Sequence, residues 1–469
     1  MKIVCDSECF QNDMQDLVNF FDPEDDMSFS LHHSDSTLDS TLTSKIEVEN
    51  NGEIKEYVKF FTIPVGLSAL REKSVIKSFF KNHLYQVLSS LTKKVLPWGS
   101  LTGVRPCKFM REMVERGEIK EHIVPEVLMK EYFVNEDKAK LVYEIMKHQK
   151  CIIKNDKLVD LFINIPICPT RCNYCSFISN ELCKVADKVD KYLDCLLKEL
   201  KAVKELIAEK SYIVRTIYIG GGTPTVLTAK QLDRLLGEIN YPVSEFTVEC
   251  GRADTITREK LEILKRHNVN RISINPQTFC ETTLKRIGRK QTNKQILEAY
   301  MLAMEYDFIV NMDMIAGLPG EKLGIFKRSI NTLLELAPQN ITVHTLTIKN
   351  GAPLKEDKSQ ISQRDVPKMI DYAESVLQEN GYKPYYIYRQ KHQIGGLENV
   401  GYFRDGHVCI FNIDSMEDVS SIIGVGAGAI SKRIFNLENR LERQPNCKFI
   451  EDYIARIDEM VEKKIKFFS

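Results

Sequence analysis

The chain has 469 residues, too many for one simple hydrophobic core, so at least two domains are expected. Lysine plus arginine and aspartate plus glutamate balance at 65 each, which excludes an electrostatic case for nucleic acid or an anionic membrane surface as partner. Thirteen cysteines in so long a chain, without an apolar signal region after Met1, favour a reduced cytoplasmic protein. No apolar run approaches the roughly 20 residues needed to span a bilayer, so membrane insertion is not expected.

The first 150 residues predict a small α/β domain whose role the sequence leaves unknown. Apolar periodicity indicates helices near residues 14–21 and 70–91, and the polar run 34–43 is expected to be a loop. Cys5 and Cys9 do not predict a metal cluster, because no third cysteine is near. Short strands are predicted near 1–4, 46–49 and 58–62, and a largely helical segment over 111–150.

From Leu158 onward, strand-like runs alternate with helix-like runs. This alternation predicts an α/β fold with a parallel sheet and helices outside it. A closed barrel of this kind needs eight units. About six are found, so we expect a partial (β/α)6 barrel. The predicted strands are 158–165, 216–219, 245–250, 271–275, 309–314 and 341–346, and the predicted helices begin near 189, 229, 258, 293 and 326.

Cys168, Cys172 and Cys175 follow the first of these strands at gaps of three and two residues. Three thiolates on a loop that leaves a strand can hold an iron–sulfur cluster and leave one iron without a protein ligand. Zinc is the weaker interpretation, because no second cysteine pair follows at zinc-finger distance. Buried structural thiols also fit less well, since Pro169 and Arg171 interrupt the run.

Unusual residues stand where the later strands end, and the carboxyl ends of barrel strands open on one face. A glycine run weakens a strand unless another group must approach the backbone, although a tight turn is the simpler explanation for Gly220–Gly221–Gly222. Asp313 lies in an apolar run and is costly there unless it is paired, with Arg289 or a cofactor as possible partners. Glu249 and Gln277, otherwise ordinary loop residues, also directly follow buried strands.

These segments resemble the radical S-adenosylmethionine (SAM) superfamily, and within it the oxygen-independent coproporphyrinogen III oxidase group. The resemblance is closest to the coproporphyrinogen dehydrogenase branch often called HemZ. It covers about residues 158–435 and an upstream segment from Pro97 to Pro106. The segments that carry it are 162–177, 220–225, 249, 271–277, 288–289, 313–319, 385–390, 397–402 and 424–429.

The resemblance implies three domains: residues 1–150, a radical SAM partial TIM-like barrel over 151–350, and a substrate-covering C-terminal extension over 351–469. It also implies a 4Fe–4S cluster held by Cys168, Cys172 and Cys175, with SAM chelating the fourth iron. The implied SAM contacts are Tyr174 beside the adenine, Gly221, Gly222 and Thr223 at the methionine end, and Glu249, Gln277, Arg289 and Asp313 elsewhere.

In the resembled enzymes the reduced cluster cleaves SAM, and the deoxyadenosyl radical removes a hydrogen atom β to a propionate carboxylate. Loss of carbon dioxide and one electron then leaves a vinyl group, and two such reactions turn coproporphyrinogen III into protoporphyrinogen IX. The implied partners are a tetrapyrrole substrate and a low-potential electron donor such as ferredoxin or flavodoxin. No catalytic side chain is expected beyond the cluster and the SAM site.

The sequence leaves the substrate open. The oxidase has a further cysteine where this chain has Phe177, and related heme chaperones carry an aromatic residue at that position. Asn164 and Phe162 also replace a usual histidine and tyrosine. A heme chaperone and another radical reaction on a tetrapyrrole are therefore the alternatives.

Three further residues have both a substrate-binding and an ordinary explanation. Arg389 and Arg404 could bind propionates bidentately, although surface charges are the more ordinary explanation. His344, near the end of the sixth strand, could face the substrate, although a structural histidine is the more ordinary explanation.

Overall fold

The computed structural model describes residues 3–5, 10–21, 27–36, 41–50, 53–102, 104–175, 177, 180–348, 354, 364–390, 393–436, 438 and 440–469. The chain divides into two compact units. The first contains Met1–Glu144, Arg389–Lys391 and Gly395–Leu397, and the second contains the rest. The three-part division at residues 150 and 350 stays a prediction. None of the described helices combines the length and the apolar character that a transmembrane span requires.

The first unit is built on a four-stranded sheet in the order β1, β2, β3, β4. Its inner face is apolar because Leu42, Ile46 and Val48 alternate along one strand and are all buried. Helical residues such as Leu17 and Phe80 complete this core. The strands are β1 (Ile3–Cys5), β2 (Met27–Ser36), β3 (Thr41–Asn50) and β4 (Glu53–Thr62).

The predicted loop at 34–43 is wrong at both of its ends. Ser34 to Ser36 belong to β2, and Thr41 to Thr43 belong to β3, where the pairs Ser34–Thr43 and Ser36–Thr41 extend the antiparallel ladder. Residues 37–40 lie outside the described residues. Polar side chains can form a strand here because the ladder satisfies the backbone whatever the side chain is, and an antiparallel sheet may have one polar face.

The helices of the first unit agree with the sequence prediction in type, with longer bounds. The long helix starts where the Ser68 hydroxyl accepts a hydrogen bond from the Arg71 amide, and it stops at Lys93, whose φ is 57°. The segment predicted as largely helical over 111–150 forms parts of three helices. The helices are α1 (Gln11–Phe21), α2 (Ala69–Thr92), α3 (Pro106–Glu115), α4 (Val124–Tyr132) and α5 (Glu136–His148).

The second unit contains the predicted partial barrel, which is confirmed. Six parallel strands neighbour one another in chain order, each hydrogen-bonded to the next. Their apolar residues are buried on the helix side, as Leu161 and Ile163 show in the first strand. The six strands are β5 (Leu158–Ile165), β8 (Ile213–Gly221), β9 (Glu245–Glu249), β10 (Arg271–Ser273), β11 (Ile309–Ala316) and β12 (Asn340–Thr345).

Helices follow the barrel strands as the periodicity indicates. Two of them begin with a complete capping box, formed by Thr228 with Gln231 and by Thr292 with Gln295. Two short strands, β6 (Ile167–Cys168) and β7 (Asn180–Glu181), flank the cysteine loop. The helices are α6 (Leu182–Val185), α7 (Val189–Glu209), α8 (Ala229–Gly237), α9 (Arg258–Arg266), α10 (Glu281–Arg286), α11 (Asn293–Met304), α12 (Leu323–Leu336) and α13 (Val366–Glu379).

The last part of the chain adds strands to both edges of the barrel sheet, which the sequence did not predict. β15 (Ser421–Val425) pairs parallel with β5, while β14 (Asn399–Phe403) pairs antiparallel with β12. The helix α14 (Ile410–Glu417) lies between them in sequence. The remaining elements are β13 (Lys383–Tyr388), β16 (Ile430–Phe435), β17 (Arg440–Pro445), α15 (Ile450–Ala455) and α16 (Ile457–Phe468).

Candidate functional site

The cysteine loop is tightly held at the carboxyl end of β5. Cys168 ends β6, and the Cys175 amide donates to the Cys172 carbonyl over 3.1 Å. Between them, Asn173 anchors the loop: its amide donates to the Ile287 carbonyl over 3.0 Å and its side chain to the Arg286 carbonyl over 2.9 Å. The spacing of the three thiols is therefore fixed by hydrogen bonds to the segment after α10.

The environment of the thiols is that of a partly buried cluster of sulfur donors. Burial raises the pKa of Cys175 to about 11, and the neighbouring Cys172 and Cys168 add to the shift. The Thr223 hydroxyl lies 3.6 Å from the Cys168 sulfur. Within the described residues, no three His, Cys, Asp or Glu side chains form a single-ion site. Three sulfur donors fit an iron–sulfur cluster, which cysteine thiolates hold.

The glycine run allows the end of β8 to pass close to its neighbours. A Cβ at Gly220 would lie 2.8 Å from the Glu249 carboxylate, and one at Gly221, whose φ is 98°, would overlap the Asn164 side chain. A Cβ at Gly222 would lie 2.7 Å from the Ile165 carbonyl oxygen. Each glycine is required by close approach, so the run is more than a turn.

Glu249 is fixed by two hydrogen bonds at the end of β9. The Tyr218 hydroxyl donates to one oxygen over 2.6 Å, and the Gly221 amide donates to the other over 3.2 Å. Burial raises the pKa of Glu249 to about 7, while the Tyr218 hydrogen bond opposes the shift and the charge of Asp313 adds to it. The carboxyl group is therefore poised between its two protonation states near neutral pH.

Gln277 lies in the loop after β10, and Arg289 lies after α10. Gln277 has a φ of 68°, which is rare for a residue with a side chain. Two backbone hydrogen bonds hold it there: the Gln277 amide donates to the Asp313 carbonyl, and the Ile315 amide donates to the Gln277 carbonyl. Arg289 donates to the carbonyls of Gly251, over 3.0 Å, and Asn275. The charges of Tyr174 and Cys172 raise the pKa of Arg289 against the opposing effect of its burial, so Arg289 interacts electrostatically with the cysteine loop.

Tyr174 lies between the same groups. Burial raises the pKa of its phenol well above the ordinary value, the Arg289 charge opposes the shift, and the neighbouring Cys172 and Cys175 add to it. The ring is half-buried, so one part of it remains accessible. Tyr174 is therefore a neutral aromatic side chain beside the cysteine loop.

Asp313 has partners other than the one suggested from the sequence. The Asn311 side chain donates to it over 2.7 Å, and the His344 Nε2 atom lies 3.5 Å away. Burial alone would raise the pKa of Asp313, but hydrogen bonds from His344, Asn311 and Thr342 hold it below its ordinary value. Arg289 instead binds backbone carbonyls, as described above.

The predicted residues therefore form one group, which we call the strand-end site. Contacts lead from Cys168 to Thr223, from Gly221 to Glu249, and from Cys172 through Arg289 to the loops after β9 and β10. Gln277 and Asp313 meet through their backbones. The strand-end site consists of Cys168, Cys172, Tyr174, Cys175, Gly221, Gly222, Thr223, Glu249, Gln277, Arg289 and Asp313.

Several buried polar atoms at this end have no hydrogen-bond partner among the residues that the structure describes. They are Thr247 Oγ1, Ser273 Oγ, Asn275 Oδ1 and Gln277 Oε1, and all belong to β9, β10 or the loop after β10. An unpaired buried polar atom is costly, so it indicates a missing partner. A ligand with several donors and acceptors, such as SAM, fits this requirement.

Sequence reasoning missed these residues, together with Tyr218 and Asn311, although a signal was available. Side chains two positions apart on a strand face the same side. Tyr218 precedes Gly220, Thr247 precedes Glu249 and Asn311 precedes Asp313 by two positions. The residue two positions before each strand-end residue in the sequence would therefore have identified the additional site residues.

The two arginines suggested as propionate ligands have other partners. Arg389 belongs to the first unit, where it packs 5.0 Å from the centre of the Trp98 ring and donates to the Leu101 and Gly396 carbonyls. Arg404 follows β14, whose antiparallel course brings it to the amino end of β12, and its amide donates to the Gln339 carbonyl. Arg404 is therefore at the opposite end of β12 from the strand-end site.

Similarity to known proteins extends over nearly the whole chain. The chain is 35% identical over 479 residues to the oxygen-independent coproporphyrinogen-III oxidase-like protein HemZ of Bacillus subtilis, which covers 97% of this chain and 95% of that protein. The chain belongs to the radical SAM superfamily, in the HemZ-like group. The model of the radical SAM superfamily itself matches residues 163–333, from β5 to α12.

Two further comparisons bear on this radical SAM protein. The heme chaperone HemW of Bacillus subtilis is 36% identical over 195 residues, which are 40% of this chain and 50% of that protein. The structure of coproporphyrinogen III oxidase (HemN) from Escherichia coli has a TM-score of 0.52 at 22% identity, covering 67% of this chain and 73% of that one. The latter supports the fold alone.

Proposed function

We propose that this radical SAM protein binds a 4Fe–4S cluster and SAM at the strand-end site and converts coproporphyrinogen III into protoporphyrinogen IX without oxygen. In each half of the reaction a propionate loses one β-hydrogen atom, carbon dioxide and one electron, and becomes a vinyl group. The observation that carries the proposal is the connected strand-end site, whose sulfur donors, glycines and unpaired polar atoms converge at one end of the barrel. When bound, the reduced cluster and SAM supply the radical that takes the hydrogen atom.

The cluster ligands would be Cys168, Cys172 and Cys175. Their loop is held by Asn173, whose amide and side chain donate to the Ile287 and Arg286 carbonyls. The half-buried position of the thiols limits the access of water to a bound cluster.

The SAM contacts would be supplied by the residues around the cysteine loop. Glu249 has its two oxygens fixed by Tyr218 and Gly221, and so offers an acceptor of defined direction to a ligand amine or hydroxyl. Asp313, oriented by Asn311 and His344, offers a second. Tyr174 offers an aromatic face for a base. The remaining contacts would come from Gly221, Gly222, Thr223, Gln277 and Arg289.

The glycine run would act through its shape and its carbonyl groups. The amides of Gly222 and Thr223 already donate to the Ile165 and Ile167 carbonyls, over 2.9 Å and 2.8 Å. The Gly221 amide donates to Glu249. These three amides are therefore engaged within the protein, and the glycines serve a ligand by removing the side chains that would block it.

Support for the substrate comes from relatives. A relative similar along nearly its whole length is named oxygen-independent coproporphyrinogen-III oxidase-like. The reaction also requires a low-potential electron donor, such as ferredoxin or flavodoxin, and a one-electron acceptor. The balanced charge of the chain is in keeping with a small-molecule substrate.

Heme binding is the second candidate function. Phe177, which is 67% exposed, stands where the oxidase group has a further cysteine, and part of the barrel is similar to a heme chaperone. An exposed aromatic side chain next to the cysteine loop is a suitable contact for a flat tetrapyrrole. In this case the cluster and SAM residues would be retained while the substrate is bound and not converted.

One anaerobic assay separates the two functions. Reconstituted protein is mixed with SAM, a low-potential reductant, an electron acceptor and coproporphyrinogen III, and carbon dioxide, 5′-deoxyadenosine and the porphyrin products are measured. Two equivalents of carbon dioxide for each protoporphyrinogen support the proposal. Cleavage of SAM with a different mass change in the tetrapyrrole would instead show another radical reaction.

A heme titration of the same preparation completes the test. Stoichiometric heme binding, followed by transfer to an apo-heme protein and without any decarboxylation, would overturn the enzymatic proposal in favour of the chaperone. Weak heme binding with decarboxylation would exclude that alternative.

A further inference from the structure

His344 and Tyr388 form a contact at the open end of the barrel that no role described so far requires. The Tyr388 hydroxyl lies 3.1 Å from His344 Nδ1, and His344 Nε2 lies 3.5 Å from the Asp313 carboxylate. Asn311 donates to the same carboxylate over 2.7 Å. A chain of polar contacts thus leads from Asn311 in β11 to Tyr388 at the end of β13.

Asn399 forms hydrogen bonds with both of the strands that carry this pair. Its side-chain oxygen accepts a hydrogen bond from the Thr345 amide over 2.8 Å, and its side-chain nitrogen donates to the Tyr388 carbonyl over 3.3 Å. His344 precedes Thr345 in β12, so Asn399 fixes the backbone beside both members of the pair. The pair is therefore pre-organised by the fold before any ligand binds.

Two parallel tyrosine rings, those of Tyr386 and Tyr388, form an aromatic wall at the pair. The rings of Tyr386 and Tyr388 are 6.3 Å apart with an angle of 3° between their planes. A Cβ at Gly401 would overlap the Tyr386 ring, so this wall exists because the facing strand has a glycine. The Tyr386 hydroxyl lies 3.2 Å from the Thr342 hydroxyl, which leaves Tyr388 as the tyrosine paired with His344.

The hydrogen-bond roles of His344 depend on which of its ring nitrogens carry hydrogen. Hydrogen bonds hold the pKa of Asp313 below its ordinary value despite burial, which keeps a charged acceptor beside His344 Nε2. Burial raises the pKa of Tyr388, and Asp313 adds to the shift, which keeps the phenol neutral. With hydrogen on both nitrogens, His344 donates to Asp313 and to the Tyr388 oxygen. The hydroxyl hydrogen of Tyr388 is then free to be donated to a ligand.

We infer that His344 and Tyr388 are specificity-determining residues that bind one carboxylate of an acidic tetrapyrrole. A carboxylate is bound by hydrogen-bond donors, and this pair supplies the Tyr388 hydroxyl beside the His344 imidazole. Arg404, the other candidate in this unit, lies at the amino end of β12. His344 also contacts Asp313, a proposed SAM contact, so a carboxylate bound here is close to the proposed radical source. The inference rests on the proposed function for its substrate class.

Equilibrium binding provides the test, with coproporphyrin III and its tetramethyl ester as probes. Tyr388→Phe and His344→Gln should each weaken binding of the free acid about tenfold, which corresponds to about 1.4 kcal/mol, and should leave binding of the ester unchanged. Tyr382→Phe is the matched control, because its hydroxyl donates to the Pro338 carbonyl over 2.6 Å at the other end of β12. It should change neither probe.

Turnover kinetics give a second measurement, because a purely structural role of Tyr388 would not change KM selectively. In Tyr388→Phe the KM for coproporphyrinogen III should rise about tenfold, and more 5′-deoxyadenosine should form for each protoporphyrinogen, since the substrate is held less well. Cluster content and SAM affinity should match those of the unmodified protein. Far-ultraviolet circular dichroism and Tm show whether each variant is folded.

The outcomes distinguish this inference from the proposed function. If the unmodified protein binds the acid through Tyr388 and His344 but releases no carbon dioxide, the proposed reaction fails and the inference stands. If it decarboxylates the substrate while both variants bind acid and ester as the unmodified protein does, the inference is overturned. Failure of the unmodified protein to prefer the acid over the ester also overturns it.

Discussion

The two ends of the barrel use the same strands in opposite ways. At the amino ends of β9 and β10 stand Glu245 and Arg271, and at their carboxyl ends stand Glu249 and Ser273. Glu245 and Arg271 have partners within the protein, although Arg271 Nε lacks one among the described residues, whereas the hydroxyls of Thr247 and Ser273 have no such partner at all. The amino ends therefore serve mainly stability, and we propose that the carboxyl ends serve ligands.

Both charged side chains at the amino end have partners within the chain, although Arg271 Nε lacks one among the described residues. Glu245 accepts hydrogen bonds from the Ile410 and Phe411 amides over 2.7 Å and 2.9 Å, and so caps α14. Arg271 lies 3.6 Å from Glu245 and donates to the Val408 carbonyl over 2.8 Å. A carboxylate at a helix N-terminus, next to a buried guanidinium, is stabilised from both sides. This arrangement fixes α14 against the barrel.

The carboxyl end lacks such closure. Thr247 and Ser273 are 3% and 4% exposed, yet their hydroxyls have no partner among the residues described. Burying a hydroxyl without a partner costs about 1–3 kcal/mol. A protein tolerates this cost where a ligand supplies the partner. The difference between the ends is one of degree: Arg271 keeps hydrogen bonds through its terminal nitrogens, whereas the hydroxyls of Thr247 and Ser273 have no partner among the described residues.

The largest expected effect concerns the carboxyl end, in the variant Cys172→Ala. Removing one of three sulfur donors should abolish the visible absorbance of a reconstituted cluster and reduce SAM cleavage to background, because each thiolate holds one iron. Cys183→Ser, at an exposed cysteine in α6, is the matched control and should keep both. Iron content and absorbance are measured after anaerobic reconstitution. Retention of iron and colour in Cys172→Ala would contradict the cluster assignment.

Glu245→Ala tests the amino end. It leaves Arg271 buried without its carboxylate and removes the cap of α14, so the free energy of unfolding should fall by about 3–5 kcal/mol. Glu238→Ala, at an exposed position after α8, should change it by less than about 0.5 kcal/mol. Denaturant unfolding measures both. A loss of SAM affinity in folded Glu245→Ala, with stability unchanged, would reverse the roles assigned to the two ends.

Glu249→Gln tests the carboxyl end with an isosteric change. SAM affinity should fall by roughly 10-fold to 100-fold, the effect of losing a hydrogen bond to a charged group worth about 1.5–3 kcal/mol. Stability should change little at neutral pH, since the Gln oxygen can accept from the Gly221 amide while its nitrogen donates to the Tyr218 oxygen. Isothermal titration measures the affinity, and unchanged affinity would remove Glu249 from the SAM contacts.

The pH dependence of stability sharpens the same comparison. Because burial raises the folded-state pKa of Glu249 to about 7, above the ordinary value of about 4.3, the carboxyl group contributes stability that is fully present below about pH 4. This contribution is lost as the pH rises through about 7. In Glu249→Gln the free energy of unfolding should therefore decline less between about pH 5 and pH 8. Equal declines in both proteins would show that Glu249 does not carry the effect.

The sequence predicted the strands and the strand-end residues because both are local patterns. Leu158–Ile165 is a mostly apolar run, and glycine or a polar group ends or directly follows each later strand. Lateral neighbours were not predictable in this way. Asp313 meets His344 because β11 and β12 are adjacent in a particular register, and no feature of the local sequence states that register.

Strand direction was the second property beyond the sequence. Arg404 is at the wrong end for a propionate ligand because β14 returns antiparallel to β12, and a single strand has the same pattern in either direction. Likewise, β15 looks like part of a terminal extension and yet pairs parallel with β5. Pairing over such separations is decided by tertiary packing, so it had to be observed.

The smallest effect is expected from Ser273→Ala, and its sign is the sharpest test of the comparison. The Ser273 hydroxyl is buried without a described partner, so removing it should raise the free energy of unfolding by about 1 kcal/mol. The same substitution at Ser329, which accepts from the Phe279 amide over 3.1 Å, should lower it by about 1 kcal/mol.

Ligand binding should respond in the opposite sense at Ser273. If the Ser273 hydroxyl hydrogen-bonds SAM or the substrate when these are bound, the Ser273→Ala apoprotein should be more stable than the unmodified apoprotein. The same variant should lose part of the stabilisation that the ligands give. Tm measured with and without SAM and coproporphyrin III separates the two contributions. A variant that is more stable in both conditions by the same amount would show that Ser273 is only a packing defect, because a group that contacts a ligand cannot be removed without a change in the ligand-dependent term.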